Sequence, residues 1–262
     1  MCRFSLIPLF IPIALAAQLP AYTPAQLDGA RFRQTIRSQI RIETGSAVTQ
    51  ERSGRDGVIV IAAVDGDSGI ELTGWFDSLA VWREAGGQRF APETDGMVGG
   101  RYHGRLSSNG VYTWDDQPFI PDEVSEIAEL GSAFDDVLPP LPRTVLRPGQ
   151  VALLDGGWRI ERRADSTAAG QTVRRYFLSG DRRRTAVGAA LDSLPVEAAT
   201  TEKETGSMVW SPRFGPLLWQ RQITLTATLP AKGSIKRAVR TSIEQTVTLE
   251  RMVAGAEIVP PR

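Results

Sequence analysis

The sequence predicts a mainly β (α+β) protein: a long, curved antiparallel sheet or half-barrel with one covering helix near residues 122–138. Several segments alternate between apolar and polar residues, the period of a half-buried strand. These segments are much longer than the usual strand of about 5–6 residues, and long strands twist and coil. One segment, residues 122–138, has helical spacing without any strand alternation. A short internal similarity is also consistent with two related β-rich halves: Met97-Val98 precedes Arg101-Tyr102, and Met208-Val209 precedes Arg213-Phe214.

The first residues are typical of a secretory signal peptide, which we predict over residues 1–17. Arg3 supplies the positive start, an apolar run follows from Leu6, and small residues at Ala14 and Ala16 precede the cleavage site. The run is shorter than the roughly 20 apolar residues that a membrane span requires. We therefore expect an exported bacterial protein, periplasmic or extracellular, with no transmembrane segment after signal removal.

The first predicted strand opens the N-terminal β-rich half, residues 18–138. Phe32, Ile36, Ile40 and Ile42 share one face of this strand. The other face carries mostly arginines, namely Arg31, Arg33, Arg37 and Arg41. The apolar residues from Phe32 to Ile40 also fit helical spacing, but the strict polar alternation favours a strand.

Two further strands are predicted in this half. Val58–Val64 is a continuous apolar run between turn residues, which is typical of a central strand covered on both faces. The strand from Ile70 to Arg83 changes phase near Asp77, and this predicts a β-bulge at that residue.

Residues 122–138 have the 3- and 4-residue apolar spacing of a helix. The apolar positions are Val124, Ile127, Leu130, Phe134 and Leu138. Acidic residues in the first turns would stabilise the helix N-terminus, and Pro139 would end it. The Pro-rich connection 139–150 is expected to be extended, as a linker or as a strap across the sheet.

The C-terminal β-rich half, residues 151–253, contains the strongest strand pattern, and residues 254–262 form a tail. Trp219–Leu229 and Ile235–Leu249 alternate on either side of a short loop, which predicts a long hairpin. Thr241 and Gln245 are polar residues on its apolar face. Asp181 to Arg184 follow Ser179-Gly180 and are predicted to cap another hairpin, with contact to an anion or lipid headgroup as the alternative.

Composition excludes several chemistries. The 30 basic and 30 acidic residues balance, whereas a nucleic-acid partner usually requires a basic excess on one face. The only cysteine, Cys2, lies in the predicted signal, so the mature chain forms no disulfide. With His103 as the single histidine, an ordinary His/Cys zinc site is excluded. We expect no cofactor and assign no catalytic residue.

One short motif resembles the nucleophile loop of chymotrypsin-type proteases. Gly66-Asp67-Ser68-Gly69 matches four residues of that loop, but no histidine lies upstream of Ser68, so we interpret it as a turn between strands. Asp65 and Asp67 also begin a calcium-loop pattern whose closing glutamate is absent. They are weak candidates for metal ligands.

Three aromatic residues are weak candidates for ligand binding: Trp75, Tyr102 and Trp114. Trp75 precedes Phe76 in a strand, so one of these two aromatic side chains could line a groove. Trp114 precedes Asp115-Asp116, and an aromatic platform beside carboxylates suits a sugar site of a hydrolase using acidic residues. The same acidic pair is equally suited to a turn.

The overall layout resembles uncharacterised exported bacterial β-rich proteins. Its long strands and single helix, over residues 31–251, also loosely resemble the periplasmic lipoprotein-carrier family. That resemblance implies an open half-barrel that holds an acyl chain beneath a helical lid. The first hypothesis is therefore a non-catalytic extracytoplasmic binding protein for a lipid or other hydrophobic ligand. The alternative is an envelope structural or assembly component whose Arg-rich face contacts an acidic protein, and the third is the hydrolase.

Overall fold

One 12-stranded antiparallel sheet forms the centre of the computed structural model. The model describes residues 19–128, 130, 133–134, 137–168, 170–188, 196–231 and 236–253. The predicted signal peptide and the tail 254–262 lie outside the described residues. Within the described part, no helix is long and apolar enough to cross a membrane.

The strands occur in the order β6-β5-β3-β2-β1-β12-β11-β10-β9-β8-β7 across the sheet, and the short β4 pairs with β3. The N-terminal strands form one side and the C-terminal strands the other, joined where β1 pairs with β12. The strands are β1 Ala30–Thr44, β2 Ala47–Gly66, β3 Gly69–Ala85, β4 Gln88–Phe90, β5 Tyr102–Leu106, β6 Tyr112–Asp116, β7 Val151–Leu153, β8 Arg159–Ala168, β9 Gln171–Gly188, β10 Val196–Ser211, β11 Gly215–Leu229 and β12 Val239–Arg251. Two short helices are described, α1 Pro24–Leu27 and α2 Asp122–Ser125.

This architecture confirms the predicted fold class and several of its details. The first segment is a strand rather than a helix, and the C-terminal hairpin is formed by β11 and β12. The predicted bulge is also present. Val58 lies opposite Ser78 while Ile59 lies opposite Phe76, which leaves Asp77 as the extra residue.

The prediction of a helix over residues 122–138 is correct only for its first turn. α2 ends at Ser125, and the described residues that follow it form turns. Instead Val124 is buried from α2, and Phe134 and Leu138 are buried from the residues that follow it, so tertiary packing overrides the helical spacing.

The predicted hairpin cap at Asp181 to Arg184 is wrong. These residues lie inside β9, where Asp181 pairs with Lys203 and Arg182 with Glu202. The glycine that suggested a turn has another role. A Cβ at Gly180 would lie 2.8 Å from the Trp158 ring, so glycine allows that indole to approach the strand.

Most core side chains lie on one face of the sheet, which we call the inner face. The described residues between 117 and 150, which we call the strap, cover part of this face, and Val124, Phe134 and Leu138 are among those in its core. The core is concentrated near the strand ends at Ala30, Gly66 and Gly215, the capped end of the sheet. The opposite end, near Thr44 and Leu229, is the open end.

The capped end is closed by the segment that precedes β1. The Tyr22 hydroxyl donates to the Pro139 carbonyl of the strap at 2.7 Å, and its ring packs edge-on against Trp210 at 5.1 Å. Arg251 Nη1 donates to the Gln26 carbonyl at 2.8 Å. Burial raises the pKa of Tyr22 and lowers the pKa of Arg251, as expected for groups removed from water.

Candidate ligand-binding site

The three aromatic candidates occupy three different places. Trp75 lies on the face opposite Phe76, with the Arg101 guanidinium stacked 3.6 Å from its ring centre. Trp114 lies in the edge strand β6 and is 51 % exposed. Tyr102 is on the inner face and 2 % exposed. The structure does not bring them together into one site.

Tyr102 is part of the contact between strap and sheet. Its ring lies 4.6 Å from that of Phe134. Burial raises the pKa of Tyr102 to about 12, although the Arg55 guanidinium acts to lower it. The hydroxyl is therefore protonated at neutral pH, and it makes no hydrogen bond with the described residues.

The candidate metal ligands Asp65 and Asp67 lie at the β2–β3 connection. β2 ends at Gly66 and β3 begins at Gly69, so the motif forms a two-residue turn. Gly69 has a φ of 140°, a conformation that glycine adopts without strain. No group of three or more His, Cys, Asp or Glu side chains suited to a metal ion occurs among the described residues.

His103 and Asp115 are both exposed near the edge of the sheet. The Nδ1 atom of His103 lies 3.1 Å from the Thr73 hydroxyl oxygen. Asp115 accepts a hydrogen bond of 3.0 Å from Arg105. Asp115, one of the two acidic residues that follow Trp114, thus forms a surface ion pair with Arg105 between β6 and β5.

A first cavity of about 310 Å³ lies where the two edges of the sheet approach each other. It is lined by the β5–β6 turn at Gly110, the strap at Leu138 and the β7–β8 connection at Trp158. β6 and β7 are the outermost strands. A cavity shared by both edges requires the sheet to curl around the strap, as in a half-barrel.

Charged side chains line one wall of the first cavity. The Arg182 guanidinium stacks 4.7 Å from the centre of the Trp158 ring. Its Nε is buried and makes no hydrogen bond with the described residues. Glu202 lies beside Arg182 in the register, and Arg143 pairs with Asp155 at the exposed rim.

A buried ion pair stands between the first cavity and a second one. Arg221 Nε donates to Glu204, and the two side chains are 8 % and 3 % exposed. Arg221 lines both cavities. The ion pair therefore places two charged side chains on the inner face between the two cavities.

The second cavity, about 230 Å³, lies between the strap and the inner face of β1, β2 and β12. Its polar lining includes Gln34, Ser38 and Gln245. Gln245 Nε2 donates to the Ser38 hydroxyl at 3.0 Å. Gln34 is 4 % exposed, and its Oε1 makes no hydrogen bond with the described residues.

Beyond the second cavity, toward the open end, the inner face becomes an apolar strip that we call the central groove. Ile40, Ile243 and Leu225 lie side by side on β1, β12 and β11. The groove comprises Ile40, Ile42, Ile223, Leu225, Ala227 and Ile243, all half-buried. From Ile223 to Ala227 on β11 it extends about 13 Å.

Charged residues border the central groove on both sides. On one side, Glu202 pairs in register with Leu225 and is followed by Arg182 on the next strand. On the other side, Glu51 lies opposite Ile40 and forms a 2.7 Å ion pair with Arg83. The result is a narrow apolar floor between two charged walls.

Comparisons with known proteins give distant structural similarity. No family model and no curated protein sequence matches the chain. A lipovitellin structure solved to show its lipid–protein interactions aligns with 90 % of this chain at 12 % identity and a TM-score of 0.48; the chain spans 26 % of that protein's length. A candidate exported protein with a YmcC-like fold from Bacteroides fragilis aligns with 86 % of this chain and 97 % of its own, at 12 % identity and a TM-score of 0.19. A DUF1329 family protein from Desulfovibrio piger aligns with 89 % of each chain, at 9 % identity and a TM-score of 0.19.

Proposed function

We propose that the protein is a non-catalytic extracytoplasmic binding protein for a lipid or other hydrophobic ligand, whose acyl chain lies in the central groove. The observation that carries the proposal is the half-buried strip of aliphatic side chains on the inner face. The strap covers the core near the capped end, whereas this strip continues toward the open end. Burying such a surface is favourable by roughly 25 cal/mol per Å² of apolar area.

The charged borders of the groove favour a narrow ligand. Its floor spans three strands, about 10 Å between the outer two, and is about 13 Å long. Glu202 and Glu51 border it on opposite sides. An acyl chain fits this floor and leaves the charged side chains on both sides in contact with water. A broad apolar ligand would cover those side chains, and removing a charged group from water is unfavourable.

The outer face gives less support to the alternative of an acidic protein partner. Three of the four arginines on the outer face of β1 already have carboxylate partners in this chain. The pairs are Arg31–Asp77 at 2.5 Å, Arg37–Asp56 at 2.8 Å and Arg41–Glu43 at 2.7 Å. Such a partner would compete with these intramolecular pairs.

Native mass spectrometry of the protein purified from its own envelope fraction, followed by organic extraction, tests the proposal. We expect a stoichiometric apolar adduct that yields an acyl lipid on extraction. An adduct-free mass, together with no binding of cis-parinaric acid by the delipidated protein, would contradict the proposal.

Replacing Ile243 by glutamate is expected to weaken acyl-chain binding by on the order of tenfold or more, which corresponds to at least about 1.4 kcal/mol. The carboxylate would lie in the middle of the groove floor, between Ile40 and Leu225. The measurement is titration with cis-parinaric acid. Thr246→Glu is the matched control because Thr246 is exposed on the other face of β12, and equal losses in both variants would argue against the groove.

A further inference from the structure

We infer that the second cavity binds the head of the ligand, and that this head is uncharged and carries hydroxyl or amide groups. The inference rests on the proposed function and adds the chemical class and orientation of the ligand. Its starting point is Gln34, a buried amide whose Oε1 has no hydrogen-bond partner among the described residues. A buried polar group without a partner costs about 1–3 kcal/mol.

The surroundings of Gln34 are suited to groups that both donate and accept hydrogen bonds. Gln245 and Ser38 already form one bond across β12 and β1. Ser53 lies opposite Ser38 on β2 and also lines the cavity. A hydroxyl or amide can donate to the Gln34 oxygen, which a carboxylate cannot do.

The two cations of the cavity already interact with other groups of the protein. Arg221 donates to Glu204. Arg55 stacks over the Phe76 ring at 5.9 Å. An anionic head would have to compete with such contacts, whereas an uncharged head leaves them intact.

The position of the cavity also sets the direction of the ligand. Ser38 and Gln245 lie opposite each other, and the next inner-face pair toward the open end is Ile40 and Ile243. The polar cavity therefore adjoins the apolar groove along the same two strands. A head at Gln34 places the acyl chain along the groove, with its methyl end toward the open end.

The cavity has the size of a small polar head. Its volume of about 230 Å³ exceeds the roughly 30 Å³ that one water occupies in the liquid. A glycerol-sized group can therefore displace several waters and reproduce their hydrogen bonds. Displacement by a group without hydrogen-bonding atoms would leave the Gln34 oxygen without a partner among the described residues.

The test compares monopalmitoylglycerol, hexadecanol, methyl palmitate and palmitic acid by calorimetric titration of the delipidated full-length protein. We expect the wild type to prefer the first two ligands over methyl palmitate by on the order of tenfold, equivalent to one good hydrogen bond. Gln34→Leu should abolish this preference and keep or raise the melting temperature, because an apolar group of similar size replaces an amide whose oxygen has no partner among the described residues. Gln39→Leu, at an exposed glutamine of the same strand, should keep the wild-type preference.

Ser38→Ala is a second, smaller change that tests the same cavity if the leucine variant does not fold. It removes the hydroxyl that accepts from Gln245, and we expect it to reduce the preference several-fold.

The outcomes separate this inference from the proposed function. If the wild type binds none of the four ligands, the proposed function fails. If it binds them but both cavity variants keep the wild-type preference, the cavity holds only water and the head lies elsewhere. If palmitic acid binds tightest and loses its advantage in Gln34→Leu, the head is anionic, and the uncharged class is wrong.

Discussion

Replacing Phe134 by alanine is expected to lower the free energy of unfolding by about 3–5 kcal/mol and to release the strap from the inner face. The Phe134 ring lies 5.9 Å from Phe76 and 4.6 Å from Tyr102. It occupies the space above Gly74, where a Cβ would lie 2.0 Å from the ring. Urea denaturation measures the loss, and hydrogen exchange of residues 137–150 reports release of the strap.

A double-mutant cycle with Gly74 tests whether this contact is the cause. Gly74→Ala alone should lower the free energy of unfolding by about 1–3 kcal/mol, because the new methyl group collides with Phe134. In the Phe134→Ala background the same substitution should lower the free energy of unfolding by clearly less. Gly96→Ala is the control, since a Cβ there meets no atom within 4 Å. Strictly additive effects of the two core substitutions would contradict this packing.

Replacing Arg221 by methionine should destabilise the protein by about 3–5 kcal/mol, the usual cost of breaking a buried ion pair. The Glu204 side chain is 3 % exposed, so its burial would lose the compensation that Arg221 provides. The measurement is again urea denaturation, combined with the melting temperature.

Two further variants test whether the loss of stability comes from breaking the buried Arg221–Glu204 pair. The double variant Arg221→Met with Glu204→Leu should recover most of the loss, because apolar residues often replace a buried pair without cost. Arg41→Met breaks the exposed Arg41–Glu43 pair and should cost about 0–1 kcal/mol. If Arg221→Met cost no more than this surface control, the boundary between the two cavities would be hydrated rather than buried.

The sequence predicted those parts of the fold that depend on local periodicity. Alternation alone identified β1 and the β11–β12 hairpin, and the phase change at Asp77 identified the bulge. Prediction from the sequence failed where a residue pattern that suggests a turn or a helix is explained instead by packing against distant parts of the chain. Gly180 resembled a turn residue but lies within a strand, where it makes room for Trp158. The spacing of residues 122–138 likewise reflects burial against the sheet rather than a continuous helix.

The candidate site was less predictable because it depends on the pairing of distant strands. Gln245 was recognised as a polar residue on an apolar face, but its hydrogen bond is to Ser38, 207 residues away. Gln34 gives the same signal, a polar side chain at an apolar position of the alternation. Glu204 and Arg221 come together only through the register of β10 and β11.

Photo-crosslinking with a fatty acyl probe that carries a diazirine near its methyl end, followed by peptide mapping, tests directly whether an acyl chain lies in the central groove. We expect labelling on the open-end halves of β1, β11 and β12, including the peptides that contain Ile40, Leu225 and Ile243. Competition with unlabelled monopalmitoylglycerol should remove this labelling. Labelling confined to the exposed edge near Trp114 and Phe119, with none in the groove, would contradict binding in the groove.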